Sequence, residues 1–64
     1  MNEDVFNASL RKFLKQVGVT SQQQIEKAVA DAGLKGQGRL TVRAVITAEH
    51  AGLHHVVEGE IDLG

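Results

Sequence analysis

Three histidines, His50, His54 and His55, lie close together in the sequence, with Glu49 and Glu58 nearby. Imidazole binds metals and moves protons near neutral pH, so this is the first place to look for chemistry. The spacing serves it poorly. Adjacent residues on a strand point to opposite faces, so His54 and His55 diverge. His50 and His54 flank a turn and together offer two ligands at most. Solvated turn histidines are the expected reading, with His55 covering one end of the core.

Glu58, Glu60 and Asp62 alternate along the chain and so line one strand face. Paired carboxylates can do acid–base work, but these stand on an open sheet with no nucleophile or pocket in sight. Their expected role is to keep the strand soluble or to meet a basic partner. Ser9, Ser21, Thr41 and Thr47 have no base at a recognisable spacing. The glycines match neither a phosphate loop nor a dinucleotide fingerprint. The absence of cysteine removes disulfides and thiolate metal sites. No catalytic residue, metal site, cofactor or small-molecule ligand is expected, and the chain does not read as an enzyme.

Arg11, Lys12 and Lys15 make a basic strip. A phosphate or RNA contact would suit it. Asp4 lies beside the strip, however, no aromatic residue stands ready to stack on a base, and the net charge is −1. A binder that works by bulk electrostatics looks different. A truncated winged helix-turn-helix is a further reading, since Gln22, Gln23 and Gln24 could read adenine, but the required third helix is missing.

These groups must be held by helices first and strands second. From Asn2 to Val17, Phe6, Leu10, Phe13, Leu14 and Val17 share an arc of about 100° on a helical wheel. Glu3 and Asp4 sit in the first turn and the basic residues sit later, as the helix dipole prefers. Gly18 reads as a left-handed terminator. Thr20 with Gln23 then reads as a capping box, or Ser21 with Gln24 one residue on. Ile25, Ala28, Val29 and Ala32 form a second apolar face, ended by Gly33, with Leu34 folding back. The expectation is a helical hairpin over residues 2–17 and 21–32, with Gly36 and Gly38 in a linker.

The period then changes from 3.6 to 2. Leu40, Val42, Ala44, Ile46 and Ala48 alternate with more polar neighbours, as do Val57, Gly59, Ile61 and Leu63. Strands are expected at 39–49 and 54–63. A loop over residues 50–53 would pair Val42 with Ile61 and Arg43 with Glu60. A shift of two residues that sets Arg43 against Asp62 is the second choice. The expected fold class is α+β, an ααββ arrangement in a small two-layer domain spanning 1–64. Phe6, Leu10, Phe13, Val17, Ile25, Val29, Val42, Ile46, Val57 and Ile61 are its expected core. On that reading Phe13→Ala costs roughly 3–5 kcal/mol.

At 64 residues, with Phe6 and Phe13 as the only aromatics, such a core is light. Domains of this size bury only about 60% of their unfolded surface and commonly lean on a partner. There is no charged and apolar leader and no apolar run long enough for a membrane span, which points to a cytoplasmic protein.

Asn2-Glu3-Asp4-Val5-Phe6-Asn7, then the run from Arg11 through Lys12-Phe13-Leu14-Lys15-Gln16-Val17-Gly18-Val19-Thr20-Ser21-Gln22 to Gln23, resembles a family of short bacterial proteins of unknown function. The tail His55-Val56-Val57-Glu58-Gly59-Glu60-Ile61 is similar to the same family's C-terminus. The resemblance implies a small stand-alone bacterial domain. It implies no activity, ligand or catalytic residue.

The first functional expectation is a protein-interaction or self-association module. It would form a homodimer through the free hairpin edges or bind another protein. Arg11, Lys12, Lys15, Arg43, Glu58 and Glu60 are its candidate surface. The alternative is a nucleic-acid-associated regulator using the basic strip of the first helix.

Overall fold

The computed structural model describes residues 2–64. The chain is α+β. Helix α1 (Glu3–Ala32) is followed by strand β1 (Arg39–Ala48), a single 3-10 turn (Glu49–Ala51) and strand β2 (Leu53–Asp62). It divides after Gly33 into a helical unit and a hairpin unit.

The helical unit corrects the sequence reading: α1 runs unbroken for 30 residues where two helices were expected. Its start is capped by Asn2, whose Oδ1 accepts from the backbone N–H groups of Asp4 at 3.0 Å and Val5 at 3.2 Å. Glu3 and Asp4 occupy the first turn, where the exposed N–H groups favour negative charge. Gly33 ends the helix as expected, with φ 65° and its N–H turned back to the carbonyls of Val29 and Ala30. Gly18 does not end it. Its φ is negative, and Thr20 is no cap, because its hydroxyl donates to the Gln16 carbonyl at 2.8 Å.

The energetics explain why. A glycine inside a helix costs about 1 kcal/mol relative to alanine. Breaking the helix there would leave up to four N–H and four C=O groups without intrahelical partners. No proline enforces the break, and Val17-Gly18-Val19 is too short to satisfy those groups. Continuing the helix costs less.

In the hairpin unit β1 and β2 form a two-stranded antiparallel sheet. The strand ends fall within a residue of expectation. The register does not. Arg43 faces Glu58, Val42 faces Gly59, Ala44 faces Val57 and Ala48 faces Leu53. Neither expected register is adopted. The loop is Glu49–Gly52, one residue earlier than read. Gly52 closes it with φ 62° and an N–H bond to the Glu49 carbonyl at 3.1 Å. That left-handed position is costly for residues with a Cβ, so glycine fixes where the chain turns. The resulting alignment sets Val45 against Val56 and Arg39 against Asp62, matching like with like and opposite with opposite.

At the open end the ladder continues past the strands. Leu63 N–H donates to the Gly38 carbonyl at 2.8 Å, and Gly36 N–H donates to the Leu63 carbonyl. Gly36 and Gly38 have φ of 80° and 78°.

Burial is sparse. Among the described residues only Val29 is buried, at 6% exposure, while Val17, Ile25, Leu34, Leu40, Val42, Ile46, Ile61 and Leu63 are half-buried. Four expected core residues are exposed instead. Phe6, Leu10 and Phe13 lack the second helix that was to lie against them. Val57, 51% exposed, stands opposite the small side chain of Ala44.

Candidate association surface

A straight helix presents residues three and four apart on one side. Phe6, Leu10, Phe13, Leu14 and Val17 therefore form one stripe along the N-terminal half of α1. Exposure is 47% for Phe6, 41% for Leu10, 50% for Phe13 and 47% for Leu14. Side chains of this size normally lie inside a protein. A continuous run of them in water marks a surface that meets something else. The stripe ends at Thr20, Ser21 and Gln24, which occupy the same side of the next turns.

Arg11, Lys12 and Lys15 lie on the opposite side of the helix and are exposed. They lie off the stripe and keep the other face wetted. In the hairpin unit Arg43 stands opposite Glu58, not Glu60. Glu60 instead takes the diagonal Arg39, with Arg39 Nη1 donating to Glu60 Oε2 at 3.3 Å. This is the only ion pair among the described residues, and both partners are largely in water. Exposed pairs of this kind contribute about 0–1 kcal/mol.

The charged face of the hairpin is Arg39, Thr41, Arg43, Val45 and Thr47 against Asp62, Glu60, Glu58, Val56 and His54. Its far end carries an exposed Val45–Val56 pair. Among the described residues the sheet has no third member, so each strand keeps one unpaired edge.

The histidines do not converge. His50 belongs to the 3-10 turn, His54 pairs with Thr47 and His55 pairs with Ile46 on the other face. His55 is exposed and does not cover a core. Among the described residues no group of three or more His, Asp or Glu side chains gathers around a common point.

The stripe was visible in the sequence as a pattern but was assigned to an interior. The signal that distinguishes the two is the lack of any proline or loop near Gly18. Without a break there is no second helix to cover Phe6, Leu10 and Phe13.

One long helix with an open apolar stripe, joined to a two-stranded hairpin, makes this a small α+β protein of simple build. The chain belongs to a family of unknown function, DUF6494, whose model matches residues 1–64. Neither a curated protein nor a solved structure matches it. Among the described residues no helix is long and apolar enough to cross a membrane.

Proposed function

We propose that this protein is a non-catalytic association module whose working surface is the N-terminal half of α1. The observation that supports this is the exposure of Phe6, Leu10, Phe13 and Leu14 on one side of a single helix. Removing apolar surface from water yields about 25 cal/mol per Å². Burying some 400 Å² is thus worth on the order of 10 kcal/mol before the entropy of association is subtracted. That is comparable with the whole stability of a small domain. Association is on this reading part of how the chain folds as well as what it does.

The test is a dilution series by sedimentation and light scattering. A mass that rises above 6.9 kDa with concentration is expected. A chain that stays at 6.9 kDa into the millimolar range overturns self-association. Salt-dependent binding to a random RNA pool, lost in Lys12→Gln, would move the working surface to the basic strip.

A further inference from the structure

We infer that the partner for the stripe is a second copy of the same helix, laid antiparallel so that Phe6 meets Val17 and Leu10 meets Phe13. This rests on the association reading above and specifies its geometry.

The first support is the surface itself. Phe6, Leu10, Phe13 and Leu14 are between 41% and 50% exposed, and large apolar side chains side by side on one helix face are what a specific interface covers.

The second support is spacing. Phe6, Leu10, Phe13 and Val17 follow one another at steps of four, three and four residues. That is the seam of a two-helix coiled coil, in which each side chain enters a gap on the facing helix. Leu14 widens the seam on one side.

The third support is that the seam complements itself in only one direction. Run antiparallel about a two-fold axis, it gives four layers, Phe6–Val17, Leu10–Phe13 and their two symmetry mates. Every layer then joins one ring to one aliphatic chain, so the layers have similar bulk. A parallel pair in register gives ring on ring at Phe6 and Phe13 but valine on valine at Val17. Uneven layers leave gaps or strain, and both are destabilising.

Charge points the same way. Glu3 falls on the stripe side, within the arc spanned by Leu10 and Leu14. Parallel pairing would bring the two Glu3 carboxylates together at the end of the seam. Antiparallel pairing places Glu3 beside the neutral Thr20. It also opposes the two helix dipoles. Arg11, Lys12 and Lys15 stay on the outer sides of the pair and remain hydrated. A surface that matches itself under a two-fold rotation is what a closed dimer requires.

The chain has no cysteine, so one can be placed at will. Gln22→Cys, an exposed position beyond the seam, is labelled with a nitroxide and read by pulsed dipolar spectroscopy. At 1.5 Å per residue, antiparallel pairing separates the two labels by about 35 Å or more. A parallel pair would bring them within about 25 Å and would overturn the inference. Leu10→Asp should reduce the mass to that of one chain while the helical circular dichroism at low concentration is kept. If Leu10→Asp still associates at wild-type strength, the helix seam is wrong and the hairpin edge becomes the contact, with the association reading intact. A wild-type chain that stays monomeric throughout overturns the inference, and self-association with it.

Discussion

Thr20 donates its hydroxyl to the carbonyl of Gln16, 2.8 Å away, two residues beyond Gly18 and inside an unbroken helix. A residue that could have opened a second helix instead bonds back into the first. Hydroxyls used in this way satisfy their own hydrogen-bonding needs without adding to helix strength. The centre of α1 therefore contains four residues of modest or poor helix propensity, Gly18, Val19, Thr20 and Ser21, in a row.

Gly18→Ala tests this directly. A Cβ built at Gly18 meets nothing within 4 Å, and its backbone is already helical. The variant should be more stable by roughly 0.5–1 kcal/mol, seen as a higher melting temperature. A helix that turned at Gly18 would need the left-handed conformation there, and alanine would lower the melting temperature.

The hairpin glycines should divide by sign. Gly52 has φ 62° and closes the loop, so Gly52→Ala should cost about 1 kcal/mol. Gly59 has no positive φ and open space where a Cβ would stand. Gly59→Thr should stabilise the strand by up to about 1 kcal/mol. Chemical denaturation of the two variants checks both. Equal effects of the same sign would contradict the backbone conformations described.

Arg43 faces Glu58, and the register makes that pair, not Arg43 with Glu60, the directly coupled one. Double-mutant cycles on both pairs should give a coupling of a few tenths of a kcal/mol for Arg43–Glu58 and a smaller one for Arg43–Glu60. The reverse order would restore the register expected from the sequence.

Phe13→Ala separates interior from surface. A buried ring would cost roughly 3–5 kcal/mol. Phe13 is 50% exposed in the single chain, and the cost at high dilution should be roughly half of that or less. Association should weaken by tenfold or more. Melting at low concentration and sedimentation at high concentration measure the two separately.

Particular residues show how much of this was legible. The alternation of Leu40, Val42, Ala44 and Ile46 revealed the first strand, because a period of two has no helical counterpart. Gly33 was legible as a helix end because the apolar period stops there and further glycines follow. Gly18 was not. A glycine followed by Val-Thr-Ser-Gln carries every local sign of a stop and a restart. The deciding quantity is the backbone hydrogen bonds lost by stopping, which no single residue displays. The hairpin register escaped for a related reason. A shift of two residues keeps both faces intact, so side-chain pattern leaves it open and Gly52 settles it through backbone conformation. The stripe on α1 is legible residue for residue, but its environment is not, since exposure depends on whether a covering element exists. Of the candidate charged residues, Arg43 and Glu58 stand opposite each other, while Glu60 is engaged by Arg39.

The unbroken helix also sets a length. Thirty residues of α-helix span about 45 Å, more than a chain of this size needs to enclose an interior. In the antiparallel pair proposed above, crossing between Arg11 and Lys12, the two Gly33 residues would stand about 65 Å apart at 1.5 Å per residue. Shortening the helix by a whole number of turns between Thr20 and Gly33 would leave the seam untouched and change only the interval.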